Sequence, residues 1–271
     1  MPLLKTLAIA LNSRRWGEAD RIVTLYTQRV GKIRGVARGV RRSKSRFAGS
    51  LEPFVLCHVN LFEKPGDTLY RISQVDLVES FSRLREDLVL MAAAARMTNV
   101  VSAVTPDGDP EPRLFEILES GLRALQDSSD PPLTTLLFEI RLLGQIGFKP
   151  QTDHCAACGT ARPRGEPLFS PVAGGLLCGL CASRQLGRSI VLSKGSLAFL
   201  HQALRLPGTM VTRLKAEGRV RAEVESALEA YVAMVAGKHL PPVDFLSQGA
   251  PTMRTPAAAD LVAQPEGATR L

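Results

Sequence analysis

The chain has 271 residues, 45% of them hydrophobic, with a formal net charge of +8 and a pI near 9.6. That length suits two domains better than one, and no apolar run reaches the roughly 18 residues of a membrane-spanning helix. The N-terminal stretch MPLLKTLAIALNSRR is too short and too alternating for a signal peptide, so the expected location is cytoplasmic.

Residues 1–80 read as five short strands, Leu4–Leu11, Arg21–Thr27, Lys32–Val40, Phe54–Phe62 and Leu69–Leu77, each rich in β-branched, aromatic or alternating apolar residues. Five strands in so short a span imply a small barrel or sandwich. Turns are expected at Arg15-Trp16-Gly17, Val30-Gly31 and Ser43–Ser50, with a tight hairpin at Pro65-Gly66-Asp67. Cys57 lies in register with Val55, Val59 and Leu61 and is expected to be a buried apolar residue, with His58 on the opposite face.

After Ser80 the hydrophobic period lengthens to that of a helix, with Leu84, Leu88, Met91 and Ala95 on one stripe and Leu114, Ile117, Leu118, Leu122 and Leu125 on another. Pro131-Pro132 opens a helix that is apolar nearly all round and is expected to be central and buried, closed by Gly147. Ser193 should cap a helix running through Leu204, and Val220–Val235 should form the last one. The reading is an α+β chain: a barrel domain at 1–80, an all-α domain at 81–247 with an inserted module at 150–188, and a Pro/Ala-rich, disordered tail at 248–271.

That inserted module carries the sharpest motif. Cys155-Ala-Ala-Cys158 is followed after nineteen residues by Cys178-Gly-Leu-Cys181, a spacing that lets two tight turns present four thiolates to one Zn²⁺. Two disulfides or a redox pair are the alternative. Four thiolates leave no open position for water, so one structural zinc ion per chain is expected, with metal ligands Cys155, Cys158, Cys178 and Cys181. Gly159 and Gly179 are expected to relax the backbone beside the sulfurs. Lys149, Arg162, Arg164, Arg184 and Arg188 are near enough in sequence to offset the charge of such a centre, and His154 is expected to be a loop residue.

The second signal is local charge. Between Arg21 and Leu51 stand nine basic residues and no acidic one, while the remainder of the chain carries 25 basic against 26 acidic residues. Lys32, Arg34 and Arg38 alternate with small or apolar residues, which puts them on one face of a strand, and Arg41, Arg42, Lys44 and Arg46 continue the line into a loop. With Arg21, these form a row that can follow successive phosphates on a barrel surface. Aromatic residues are few. Trp16 is the best-placed to stack on a base, although packing within the fold is the favoured reading, and Tyr26, Phe47, Phe54 and Tyr70 suit the barrel core or its closure. No nucleotide-binding glycine loop, no H-E-x-x-H and no compact carboxylate set is present, so no enzymatic activity is expected.

The segment Glu18-Ala-Asp-Arg-Ile-Val-Thr-Leu-Tyr-Thr27, with Gly31-Lys32-Ile33, Gly35-Val-Ala-Arg-Gly-Val40 and Arg42–Phe47 through Ser50-Leu-Glu-Pro-Phe54, resembles the RecO family of bacterial DNA repair proteins. The resemblance resumes at Phe138-Glu-Ile-Arg-Leu-Leu143 and Gly147-Phe-Lys-Pro150, passes through the four cysteines and Phe169-Ser-Pro171, and ends near Asp244-Phe-Leu246. It implies an N-terminal OB-fold that binds single- and double-stranded DNA and a helical domain with the zinc module. It also implies strand annealing, displacement of single-strand binding protein and, with RecR, loading of the RecA recombinase. A zinc-ribbon nuclease or an RNA-binding factor are the rival readings.

Overall fold

The computed structural model describes residues 3–40, 47, 49–63, 66, 68–161, 165–184, 187, 189–206 and 214–240. Five strands, β1 (Leu3–Trp16), β2 (Asp20–Thr27), β3 (Gly31–Ala37), β4 (Leu56–Phe62) and β5 (Tyr70–Glu79), close into a barrel in the order β1-β2-β3-β5-β4. Neighbours are antiparallel except β3 and β5, which pair in parallel through Gly35, Val36 and Ala37. This is the five-stranded arrangement of an OB-fold.

Alternation along the strands fills the interior. Val23, Leu25, Ile33, Cys57, Val59, Leu61 and Ile72 point inward and are buried. Burial pushes the Cys57 thiol up to about 12, with Asp76 adding to the effect, as suits an inert packing residue. The link from β3 to β4 closes one end of the barrel with Phe47, Leu51 and Val55. Phe54 holds φ at 74°, a left-handed value costly for a bulky residue, and in return its N–H reaches Ala10 O at 2.7 Å and its ring packs on the helices.

The helical part comprises α1 (Arg83–Glu86), α2 (Leu88–Val104), α3 (Pro112–Gln126), α4 (Pro131–Gln145), α6 (Lys194–Arg205) and α7 (Gly218–Val235); the short α5 (Gly179–Arg184) belongs to the inserted module. Asp130, whose carboxylate accepts from Leu133 N, starts α4 with prolines in its first turn, and α4 lies buried among α2, α3, α6 and α7. Gly147, at φ 86°, ends it. Ser193 caps α6 by accepting from Ser196 N. The stripe expected through Leu88 is not continuous: Asp87 caps a new helix by accepting from Val89 N and Leu90 N. The rotation this introduces leaves Leu88 exposed and buries Ala93, Ala94, Met97, Val100 and Val101 instead.

The two parts share one apolar core, since Ile9, Leu11, Tyr26 and Leu56 on the outside of the barrel pack with the helices. Gly108 N donates to Lys32 O at 2.9 Å, which stitches the loop after α2 to β3. Gly31 makes that approach possible: a Cβ there would stand 2.1 Å from the carbonyl oxygen of Asp109, and its φ is +66°. The turn expected at Val30-Gly31 is formed. The expected turn at Trp16 starts one residue later, at Gly17, because β1 runs past the barrel as an arm paired with the start of β2. Pro65 and Asp67 of the expected hairpin, and the tail 248–271, lie outside the described residues.

Gly31→Ala is therefore expected to cost well over about 2 kcal/mol in urea denaturation, because strain and a backbone clash add. Gly17→Ala, with φ +63° but open space around it, should cost only about 1 kcal/mol. Equal losses would show that contact with the 105–111 loop does not constrain Gly31.

Candidate metal centre and nucleic-acid interface

The inserted module is a three-stranded sheet in the order β7 (Gly175–Leu177), β6 (Leu168–Ser170), β8 (Ile190–Val191), followed or flanked by two cysteine turns. Strands of two and three residues cannot hold a core alone. The first turn is shaped by Gly159, at φ +75°, whose N–H donates to Cys155 O, and by Ala156 N, which donates to Leu176 O and so ties the turn to β7. The second turn leaves β7 at Cys178 and enters α5, which carries Cys181. Gly179 is not a close-approach glycine, because nothing lies within 4 Å of where its Cβ would be. The glycine that plays that part is Gly175, whose missing Cβ leaves room for the Gln151 backbone.

The four Sγ atoms all lie within 4.8 Å of one another, so the cysteines are free thiols gathered at one point rather than two bridges. Their chemistry fits a thiophilic cation. Burial raises the Cys155 thiol, but the N–H groups of Cys178, Cys158 and Ala157 outweigh it and bring it down to about 6. Cys178 N sits 3.3 Å from Cys155 Sγ. Cys181 moves the other way, up to about 12, because it donates to Cys178 and Cys158. Four sulfurs that converge on one point, with backbone N–H groups favouring thiolate at Cys155, offer the donor set of a soft-metal site. His154 is exposed and bridges to Ala161 in the loop. Among the described residues no second group of three or more His, Cys, Asp or Glu converges in this way.

On the barrel, the register assembles the charge. Arg14 pairs with Ile22, Ile22 with Val36, and Val36 with Arg71, so these four residues form a transverse row on the outside of β1, β2, β3 and β5. Arg34 lies one step to one side, across Thr24 from Asn12. Trp16 and Arg38 lie on the other side, with Trp16 paired to Asp20 and Arg38 one residue past β3. Arg14, Arg34, Arg38 and Arg71 are exposed, and Arg14, Arg38 and Arg71 make no ion pair among the described residues. Asp20 also lies at this edge, where its carboxylate accepts from Gly39 N at 2.8 Å.

Several sequence candidates sit elsewhere. Lys32 shares the outward phase of Arg34, but its side chain is only 12% exposed and its ammonium is spent on Ser102 O at 2.7 Å, Thr105 O at 2.6 Å and Asp107 at 3.3 Å. Arg21 points to the end of the barrel and is held by Glu52 at 2.7 Å. Arg34 keeps a looser partner, Asp107 at 3.7 Å. Trp16 is 51% exposed on the arm, so the favoured packing role for it is corrected. Tyr26, Phe47 and Phe54 are buried as expected. Arg41, Arg42, Lys44 and Arg46, with Arg162, Arg164 and Arg188, lie outside the described residues.

Arg14 and Arg71 were not singled out from the sequence. Arg14 follows a bulge near Leu11 that breaks the alternation, and Arg71 meets the face only through the parallel β3–β5 pairing, which no local pattern announces.

Comparison with known proteins bears on the whole chain. The family model for the N-terminal part of recombination protein O matches residues 1–81, and the model for its C-terminal part matches residues 85–241. The chain belongs to the recombination protein O family. A relative from Myxococcus xanthus, named DNA repair protein RecO, is 36% identical over 244 residues, which is 89% of this chain and 96% of that protein. Relatives of the same name from Symbiobacterium thermophilum and Geobacter metallireducens are 34% and 36% identical, covering 91% and 78% of this chain and 97% and 90% of their own lengths.

Purified under reducing conditions, the protein is expected to carry one equivalent of metal per chain, lost in Cys155→Ser together with a fall in melting temperature of the module. Four reactive thiols in the folded protein, with Cys57 shielded in the barrel and no bound metal, would remove the site.

Proposed function

We propose that the protein acts in DNA repair by holding DNA strands and exchanging them, without making or breaking a covalent bond itself. The observation that carries this reading is the outer barrel face, where four exposed guanidinium groups, Arg14, Arg34, Arg38 and Arg71, surround Ile22 and Val36 with Trp16 at one edge. Cations at strand spacing engage phosphates and are indifferent to sequence, which suits both single- and double-stranded DNA. Trp16 supplies a stacking platform available only to unpaired bases. Arg41, Arg42, Lys44 and Arg46 follow β3 closely in the chain and add to the positive charge of this part of the sequence.

Zn²⁺ is the cation that best suits four thiolates in a closed tetrahedron, held by Cys155, Cys158, Cys178 and Cys181. When bound it supplies a structural cross-link, and the residues around it position the two turns. Membership of the RecO family supports the finer reading: annealing of complementary strands, contact with RecR and with single-strand binding protein, and loading of RecA, at the nucleoid in the cytoplasm.

Trp16 is the only tryptophan in the chain, so its emission reports on the face directly. Addition of single-stranded oligonucleotide is expected to quench it, and Trp16→Ala should weaken single-strand binding more than duplex binding. A triple change of Arg34, Arg38 and Arg71 to Ala should flatten the log–log salt slope of single-strand binding by about 2. Arg219→Ala, remote from the face and paired with Glu223, should leave that slope unchanged. Lys32→Met should instead lower the melting temperature with little change in slope. With oligonucleotides precoated by single-strand binding protein, the protein should promote annealing without ATP, and the triple variant should not. Unchanged slope and annealing in the triple variant would place the DNA elsewhere.

A further inference from the structure

A pocket of about 390 Å³ opens between α2, α4 and α7, far in the sequence from both sites described above. Its walls are apolar where Val89, Ala92 and Leu136 line them, and Leu88 and Val89 stand beside it 56% and 54% exposed on the first turn of α2. Adjacent large apolar side chains exposed at the mouth of a concavity mark an interaction surface more often than chance exposure does.

The charge around it is unlike the rest of this basic protein. Glu139, Glu225 and Glu229 line the pocket against a single guanidinium, Arg96. Glu139 is only 4% exposed and is bound by Arg96 Nε at 2.6 Å. Burial nonetheless pushes its carboxyl above the usual range, beyond what Arg96 takes back, and Glu229 and Glu225 add to the rise. The three carboxylates do not converge as metal ligands. Other partners draw on the outer two: Arg221 meets Glu225 at 2.9 Å but is shared with Asp130, and among the described residues Glu229 pairs with the exposed His239 alone, at 3.4 Å.

An apolar concavity with surplus negative charge fits a segment with apolar side chains on one face and lysine or arginine beside them. The chain's own continuation is a poor complement. Leu240 O accepts from Arg96 at 3.4 Å, so the chain leaves at the lip of the pocket, but residues 241–271 carry Asp244, Asp260 and Glu266 against Arg254 and Arg270. We infer that the α2–α4–α7 pocket is a docking site for a basic amphipathic helix of a partner protein, anchored by apolar side chains against Val89, Ala92 and Leu136 and by cations against Glu225 and Glu229.

The test uses the full chain and a fluorescein-labelled helical peptide with leucines on one face and lysines and arginines on the other. A peptide of the same leucine pattern with glutamates in place of the cations is the comparison. Anisotropy titrations are expected to show the basic peptide binding at least roughly tenfold tighter, although a protein of net charge +8 should favour the acidic one. Val89→Asp and Glu229→Lys, both at exposed side chains, should each weaken basic-peptide binding at least roughly fivefold, while Glu116→Lys on α3 should not change it. The inference is overturned if the two peptides bind alike, if neither binds, or if the two pocket variants bind as the parent does. It is also overturned if Phe245→Ser with Leu246→Ser tightens basic-peptide binding roughly tenfold, because the occupant would then be the chain's own segment.

Discussion

The ammonium of Lys32 ties the barrel to the helices. It reaches from the outside of β3 to the carbonyls of Ser102 and Thr105, the last turn and the cap of α2, with Asp107 beside it. Those carbonyls have no intrahelical donor and sit at the negative end of the helix dipole, so a cation there satisfies two acceptors and a partial charge at once. A polar clamp of this kind is directional. Apolar contacts between Ile9, Leu11, Tyr26, Leu56 and the helices would tolerate sliding, whereas three acceptors around one nitrogen would not.

That docking determines which barrel surface remains free. The outer sides of β1, β2 and β4 that carry Ile9, Leu11, Tyr26 and Leu56 are covered, and the arm of β1 with the outer sides of β2, β3 and β5 beyond Val36 is left uncovered. Arg14, Arg38 and Arg71 stand on that uncovered side, where no carboxylate of the described helices reaches them, while Lys32 at the covered end is consumed. One row of like charges is thus divided by the fold into a structural half and a solvent-facing half. The cost of crowding cations on the free half is met by an anionic partner or by counter-ions.

The helical body in turn supports the module of the four cysteines. Phe169 of β6 meets Tyr231 of α7 edge to face at 5.8 Å, and Gly174 leaves space for the Tyr231 hydroxyl. The module therefore has one apolar foot on a rigid helix, and its distal turns converge at sulfur. Short strands and a glycine-shaped turn are individually weak, and a cation held by the four convergent cysteines would tie them into one unit.

The sequence by itself determined much of this. Period-two alternation located the five strands, proline and serine marked the starts of α4 and α6, and the spacing of Cys155, Cys158, Cys178 and Cys181 announced a single converging site. These are local properties, set within a turn or a strand, and local physics suffices to read them. Four of the residues that carry the family resemblance hold the fold: Asp20 accepts from the Gly39 amide, Arg21 pairs with Glu52, Gly31 admits the Asp109 backbone, and Glu139 pairs with Arg96. Tertiary structure alone decided which cations face solvent, because that depends on contacts between residues as distant as Lys32 and Ser102, or Val36 and Arg71. A strand's own pattern says which face a lysine is on but not what that face meets, and burial against another element, not periodicity, separates a charge that ties the fold together from one that is free to bind.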